Sequence, residues 1–563
     1  MGSYSQAHIC QCLSRLATIR RNSPVTITQN RRKTGQQFVE GVLRLARGLF
    51  ELGLRNGDVV AISALNSDLY LEWLLAVAFV GGIAAPLNYR WSLKEARLAM
   101  EVVQPIMLVT DTGCNYWHSE FQTDSVPSLR WHVLMDSPID SGSMGNVLTT
   151  ETLKKPSLSY LSFNYSRAPE GTAMICFTSG TTGKPKGVTI SHSALIVQSL
   201  AKIAVVGYSE DDVYLHTAPL CHIGGISSAM AMLMAGGCHV LIPKFEAKSA
   251  IETIEQHHVT SLITVPSIMA DLISLIRTKE AWKGIKSVKK ILNGGGGLSV
   301  ELIKYATRTF PRAKLLSAYG MTETCSSLTF MTLYDSTTVN PGQPFQVTGE
   351  TSSNSVHQPD GICVGKPAPH VELRIRLQDS SHVGRILTRG PHVMLGYWGQ
   401  IPSGASDSGD ADWLDTGDMG QIDDYGYLWL IGRTKGRIKS GGENVYPEEV
   451  EAIISQHPGV SGVVVVGLPD TRYTEMVVAC IQIRDDWKWI DLGSHISAKN
   501  IEFCLSSEIL QHFCKKKNLT GFKIPKTFVI WKKSFPLTTT GKLIRDQVKR
   551  EVISHVQYLP SNL

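Results

Sequence analysis

The sequence predicts an α/β protein: a large N-terminal domain of helix-flanked sheets and a small α+β C-terminal domain. Three observations predict it. From residue 34 onward, short apolar runs alternate with segments of helical period, the pattern of a parallel sheet covered by helices. The chain of 563 residues exceeds one ordinary domain, for which about 150 residues is a fair prior. A stretch dense in Arg, Lys and Gly, 432–447, precedes a compact βαβ-like pattern. The boundary therefore falls near Lys435, dividing 1–434 from 435–563.

Taken in order, Thr34 caps a helix over 34–55, with Phe38, Val42, Leu43, Leu45, Ala46, Leu49 and Leu52 as its apolar face. Gly57 and Asp58 form a turn. Strands at 59–64, 83–86 and 106–110 alternate with helices at 68–80 and 95–103. Residues 112–170, rich in Ser and Pro, read as irregular surface connections. The apolar run 172–177 is a buried strand entering a Gly-rich loop. Helices follow at 193–206, 227–235, 247–257 and 267–277, with strands at 213–217, 238–242 and 262–265. Two further strands end at the glycines 294–297 and at 319–324. Residues 331–362 are polar and without period, a long surface insertion. Short strands lie at 371–377, 384–390, 413–418 and 426–431. In the smaller domain, helices at 448–457 and 501–517 accompany strands at 460–468, 477–484 and 528–530.

A composition of 43% hydrophobic and 18% charged residues is that of a globular protein. The net charge of +6 has no concentrated basic patch, which argues against a nucleic-acid partner. No stretch reaches the roughly 18 consecutive apolar residues of a membrane span. The 11 cysteines show no paired CxxC motifs, so reduced, buried thiols are expected, with Cys221 and Cys325 in packing roles. Arg15, Arg20, Arg21, Arg31 and Arg32 all precede the first acid, Glu40, as in a transit peptide. Folded patterning begins at Ser23, so such a peptide would be very short.

The loop Thr178-Ser-Gly-Thr-Thr-Gly-Lys-Pro-Lys-Gly187 combines glycines, hydroxyls and two lysines. Bare backbone N–H groups, hydroxyl donors and positive charge suit a polyphosphate; a flexible surface loop is the plainer reading. It is not a P-loop, because Pro185 follows Lys184 and Thr178 stands at the first Gly position. His222 lies in a Pro/Gly-bounded loop after a strand, where α/β proteins bind ligands, although a lone His is as often structural. The four glycines 294–297 suit close approach to a flat ring or an unusual turn. Glu323 suits Mg²⁺, a hard cation, or caps a following helix. Asp418 suits a ribose diol, or is only a turn Asp.

The string 178–187 resembles the phosphate-binding loop of the acyl-activating (ANL) superfamily. The segments 178–187, 219–225, 319–324, 413–418, 432–447 and 536–543 follow that superfamily's order and span nearly the whole chain. The resemblance implies the acyl-adenylate-forming fold with a C-terminal lid, and a reaction in two halves. A carboxylate attacks the α-phosphate of ATP to give acyl-AMP and pyrophosphate; CoA thiol then attacks the acyl-adenylate. It further implies that Thr178, Ser179, Gly180, Thr181, Thr182, Gly183 and Lys186 hold the β/γ-phosphates. Thr322 would meet the α-phosphate and Glu323 the Mg²⁺. Gly295, Gly296, Ser317 and Ala318 would lie against adenine, with Asp418 and Arg433 on ribose. His222 would border the acyl pocket. Lys435 would be the hinge, Lys439, Ser440, Gly441 and Gly442 the CoA channel, and Lys542 the catalytic bridge between carboxylate and α-phosphate. Alone, Lys542 reads as a surface Lys in a turn. Gly436 stands where Asp is common, and Thr474 where Gly is common.

Within the superfamily, segments 293–297, 319–325 and 440–447 are most similar to the 2-succinylbenzoate–CoA ligases, the plant form above all. That implies activation of the succinyl carboxylate of o-succinylbenzoate toward the naphthoate ring of phylloquinone. The plant form is associated with peroxisomes and plastids. Ser561-Asn562-Leu563 is a relaxed match to the Ser-Lys-Leu peroxisomal address, which implies an import receptor as a partner. An Arg or Lys is expected for the ring carboxylate. Ligases for 4-coumarate or medium-chain acids share every core motif. A stand-alone adenylation module would load a carrier protein, and no carrier domain follows in this sequence. A non-catalytic binding relative would lack Lys542 or Glu323, and both are present.

Overall fold

In a computed structural model of the chain, the described residues are 7–113, 126–136, 148–154, 164–179, 185–279, 281–298, 300–337, 362–377, 382–400, 412–433, 436–490, 503–536 and 543–556. The chain divides into two compact units. Met1–Tyr89, Ala96–Thr178 and Pro185–Thr434 form the first; Arg90–Glu95, Ser179–Lys184 and Lys435–Leu563 form the second.

The first unit contains two large sheets. The nine-stranded sheet runs Lys366–Pro367, Ser326–Tyr334, Lys314–Met321, Lys290–Asn293, Ser261–Thr264, Val213–His216, Cys238–Leu241, Pro24–Ile27 and Arg32–Thr34. Its six central strands, from Lys314–Met321 to Pro24–Ile27, are parallel. Its edges are antiparallel. The eight-stranded sheet runs Gly396–Tyr397, Pro185–Ser191, Thr172–Ser179, Ile83–Pro86, Val59–Ser63, Met107–Thr110, Trp131–Leu134 and Leu148–Thr149. Val59–Ser63 is buried at every residue, which is why it reads as an unbroken apolar run: a parallel strand covered on both faces has no polar side. A third sheet of five strands is built from antiparallel pairs.

Local chemistry accounts for most of the elements. Thr34 caps Gly35–Glu51, its side chain accepting from the Gln37 backbone while Gln37 returns the bond. This helix stops at Glu51, short of the expected 55, because Gly53 adopts a positive φ of 94°. The helix Asp68–Phe79 is buried nearly all round, Asp68 and Glu72 included. Those two carboxylates are paired with Arg31, Lys33 and Lys154, at 2.7 Å for Arg31–Asp68 and 3.1 Å for Lys154–Glu72. The expected surface connections at 112–170 in part build the sheet, through Trp131–Leu134 and Leu148–Thr149. Likewise the insertion expected from 331 is strand as far as Tyr334; residues 338–361 lie outside the described residues. The arginine-rich N-terminus is packed into the fold well before Ser23. His8, Ile9, Cys10, Leu13 and Leu16 are fully buried, and the apolar ones join the same core as Leu45, Trp73 and Leu75.

The second unit centres on the antiparallel pair Val460–Asp470 and Thr474–Ile483, with Thr527–Ile530 parallel to the latter. Val450, Ile454, Val465, Val477, Ile481 and Leu510 form its core. The helix expected at 501–517 begins only at Ser507, capped by Ser506; Cys504–Leu505 instead pairs with Lys488–Trp489. Among the described residues no helix is long and apolar enough to cross a membrane.

Candidate active site

Register decides what the nine-stranded sheet gathers at its carboxyl edge. Thr264 pairs with Asn293 and Asn293 with Ser317, so the loops that leave these strands emerge side by side. Val213–His216 lies between Cys238–Leu241 and Ser261–Thr264, so the chain leaves it first to one side and then to the other. Such a switch point opens a crevice at the strand ends. His222 lies in the loop that leaves that strand. It is the N-cap of the helix Ile223–Ala235, which starts four residues earlier than the expected 227. Asn66 fixes the approach to it, donating to Ala218 O (3.0 Å) and accepting from Leu220 N (2.8 Å).

The glycine turn after Lys290–Asn293 is closed by Asn293 Nδ2 donating to Gly296 O at 2.7 Å. Gly295 has φ 71°, a conformation costly with a side chain, and a Cβ at Gly294 or Gly297 would meet nothing within 4 Å. The turn thus presents bare backbone to open space. Ser317 and Ala318, the expected adenine neighbours, are half-buried on the adjacent strand.

The next loop is built differently. Strand Lys314–Met321 runs into a 3₁₀ turn, Thr322–Thr324, and returns as Ser326–Tyr334. Cys325 and Ser326 have φ 53° and 106°, a strained reversal. Gly320 permits it, because a Cβ there would collide with Ser326 O. Gln198 Nε2 braces the loop by donating to Thr324 O (3.3 Å) and Ser327 O. Glu323 is buried, and its Oε1 accepts from Tyr397 OH at 3.0 Å, while its carbonyl accepts from Met394 N at 2.9 Å. Lys186 Nζ lies 5.0 Å from the centre of the same Tyr397 ring. The strand Gly396–Tyr397 pairs with Val188 and Thr189, so it ties the strand leaving the Gly-rich loop to the Glu323 turn. Neither Tyr397, Gln198 nor Asn66 carries a local motif.

On the five-stranded sheet, Asp418 is buried and accepts from Tyr319 OH at 2.7 Å, and it pairs in register with Arg433. Two contact groups thus flank this strand and its loop: Tyr319 with Asp418, and Glu323 with Tyr397 and Lys186. In the second unit Lys439 N donates to Glu475 Oε2 and Gly441 N to Tyr473 O, both at 2.8 Å; Gly441 and Gly442 have φ 60° and 86°. Ser440 pairs with Thr474, whose φ is 71°. That left-handed backbone explains why glycine suits this position and makes Thr474 a point of strain. Gly180, Thr181, Thr182, Gly183, Lys435 and Lys542 lie outside the described residues, as does Ser561-Asn562-Leu563. Cys221 and Cys325 are buried, and burial pushes the Cys325 thiol up to about 12, which makes it a packing group rather than a nucleophile. Among the described residues there is no cluster of three metal-ligating side chains.

The AMP-binding enzyme family matches residues 13–398, and the AMP-binding enzyme C-terminal domain matches residues 449–542. The chain is 58% identical over 573 aligned residues to the 2-succinylbenzoate–CoA ligase, chloroplastic/peroxisomal, of Arabidopsis thaliana, covering 100% of both chains. It is 32% identical to the indoleacetate–CoA ligase of Aromatoleum aromaticum, covering 91% of each. A solved structure of o-succinylbenzoate CoA synthetase (MenE) from Bacillus subtilis, a double mutant bound with the product analogue OSB-NCoA, aligns with a TM-score of 0.72 at 25% identity, covering 97% of this chain and 98% of that one. By these matches the chain belongs to the AMP-binding enzyme family, the ATP-dependent adenylate-forming ligases.

Proposed function

We propose that this protein is an AMP-forming acid–thiol ligase that converts o-succinylbenzoate, ATP and CoA to o-succinylbenzoyl-CoA, AMP and pyrophosphate, in phylloquinone (naphthoquinone) synthesis. The observation that carries the reading is full-length identity of 58% to the Arabidopsis 2-succinylbenzoate–CoA ligase. The two contact groups around Glu323 and Asp418 support it. Like that relative, the protein works in chloroplast and peroxisome; the C-terminal Ser561-Asn562-Leu563 would be what an import receptor reads.

The first half-reaction brings two anions together, so it needs positioning and charge neutralisation more than covalent help. In this reading Thr178, Ser179 and Lys186, with Gly180–Gly183 between, hold the β/γ-phosphates. Thr322 holds the α-phosphate. Adenine lies on the bare backbone of Gly295 and Gly296, beside Ser317 and Ala318, and the ribose hydroxyls meet Asp418 and Arg433. Mg²⁺ fits Glu323: this cation is commonly held by one or two carboxylates plus substrate phosphates, and Glu323 is one buried, oriented carboxylate. When bound, the cation neutralises charge on the phosphate oxygens. Lys542 bridges carboxylate and α-phosphate in this half only. CoA enters past Lys439, Ser440, Gly441 and Gly442 after a backbone change at Lys435, and its thiolate displaces AMP from the acyl carbon. His222, capping its helix at the switch point, borders the acyl group.

ATP- and CoA-dependent AMP release across o-succinylbenzoate, indoleacetate, 4-coumarate and octanoate tests the reading. The expected preference for o-succinylbenzoate in kcat/KM is about a hundredfold, roughly 2.7 kcal/mol of transition-state discrimination. Preference for another acid would keep the family and discard the substrate. Lys542→Ala should abolish adenylate formation and spare thioester formation from supplied acyl-AMP.

A further inference from the structure

Lys202 lies on the helix His192–Val206 and is fully buried. Its Nζ donates to Ser227 Oγ (2.6 Å), Ser228 Oγ (3.0 Å) and Ser326 Oγ (3.4 Å). Among the described residues no carboxylate lies within ion-pair distance of it. A buried ammonium normally requires a counter-ion, because neutral hydroxyls replace only part of its lost hydration. A methionine would fill the same volume without that cost, so the charge calls for a use.

The three hydroxyls come from the helix that His222 caps and from the strand after the Thr322–Thr324 turn, the two elements that would border the acyl group in the ligase reading. Ser227 and Ser228 lie in the first turns of the helix that His222 caps, and both meet Lys202 from that one helix. Ser326 follows the Thr322–Thr324 turn and is half-buried, the least buried of the three serines; its Oγ also lies 3.4 Å from Ser327 Oγ. The bond to Ser326 is also the longest of the three, and so the one an incoming oxygen would displace most easily.

We infer that Lys202, with Ser227, Ser228 and Ser326, is the recognition site for the second carboxylate of a dicarboxylic substrate, the group on the ring when the succinyl carboxylate is at the α-phosphate. This deepens the ligase reading and rests on it. An aryl carboxylate taking the place of Ser326 would pair with the buried ammonium, and an acid lacking that group would leave the charge uncompensated. Discrimination therefore comes from the ion pair that only the diacid gains; with the monoacid bound, the ammonium stays on the serine hydroxyls as in the free enzyme.

Protonation supplies a second handle. Burial lowers the Lys202 pKa to about 7. The ionisable groups that face it are the Cys325 thiol and, beyond Ser228, the Tyr214 phenol, both pushed up by burial and neutral near pH 7. A bound carboxylate favours the ammonium, so binding of the diacid is coupled to proton uptake.

The test compares o-succinylbenzoate with 4-oxo-4-phenylbutanoate, the same acid without the ring carboxylate. In the wild type, KM for o-succinylbenzoate should rise as pH increases through 7, while KM for the monoacid stays flat. Lys202→Met should raise KM for o-succinylbenzoate by about 10- to 100-fold, the range of a charge-assisted hydrogen bond, with kcat and the monoacid rate nearly unchanged. Equal losses on both acids would show a structural role and overturn the inference. So would a Lys202→Met enzyme that keeps the wild-type preference, or a pH-independent KM in the wild type if the variant does not fold. A wild type that does not turn over o-succinylbenzoate would instead sink the ligase reading itself.

Discussion

Two loops leave neighbouring strands of one sheet and are built in opposite ways. After Lys290–Asn293, the glycine turn is held by one internal bond, from Asn293, and offers bare backbone to open space. After Lys314–Met321, the Thr322–Ser326 loop is strained at two residues and braced by Gln198, Met394 and Tyr397. In the proposed ligase, the difference matches the task that each would have. A surface that receives a flat ring needs little more than absence of side chains. A loop that aims a hydroxyl and a carboxylate at transferring oxygens must hold them to within a fraction of an ångström, and strain persists only where the surroundings over-determine it.

The comparison breaks most readily at Gly320. Gly320→Ala forces a Cβ against Ser326 O and should cost about 3 kcal/mol of stability, measured by urea unfolding; a wild-type midpoint would mean that the loop is not tightly fixed. Glu323→Gln keeps the shape and removes the charge. It should lower kcat by about 10²- to 10³-fold with thermal stability unchanged. Gln198→Leu removes two bonds to the loop carbonyls and should cost roughly 1–3 kcal/mol, with part of the loss appearing in kcat. On the other loop, Gly295→Ala, at φ 71°, should cost about 1–2 kcal/mol and raise KM for ATP rather than lower kcat. The smallest effect lies in the second unit. Thr474→Gly relieves a left-handed residue at φ 71° and should stabilise by about 1 kcal/mol.

Lys202 gives the same molecule a pH signature. Its folded pKa, about 7, lies below the ordinary lysine value, so the unfolded chain binds more protons between those two pH values. Stability should therefore rise with pH across that window, and Lys202→Met should flatten the rise. Chemical unfolding at a series of pH values from 7 to 10 reads it; an identical slope in both proteins would show the lysine to be solvated.

What is legible in the sequence follows from range. Thr34 and Gln37 are three residues apart, so the cap at Gly35–Glu51 can be seen locally. The motif residues Tyr319, Glu323 and Asp418 stand out because unusual composition concentrates around them. Their partners do not. Tyr397 reaches Glu323 across 74 residues and Gln198 reaches Thr324 across 126, and nothing in either neighbourhood marks the contact. The first turn of the helix from Ile223 reads as loop because Gly224 and Gly225 disfavour helix; tertiary packing overrides propensity there, with Gly225 seated against Pro219 O. The single helix expected at 501–517 is shortened for a related reason: Cys504–Leu505 finds a strand partner that local pattern cannot show.

The most direct test of the central claim is ATP–pyrophosphate exchange without CoA. An enzyme that forms an acyl-adenylate should return labelled pyrophosphate to ATP only when o-succinylbenzoate is present, and Glu323→Gln should suppress that exchange. Exchange that ignores the acid, or turnover that yields ADP and phosphate, would contradict the adenylate chemistry assigned to this sheet edge.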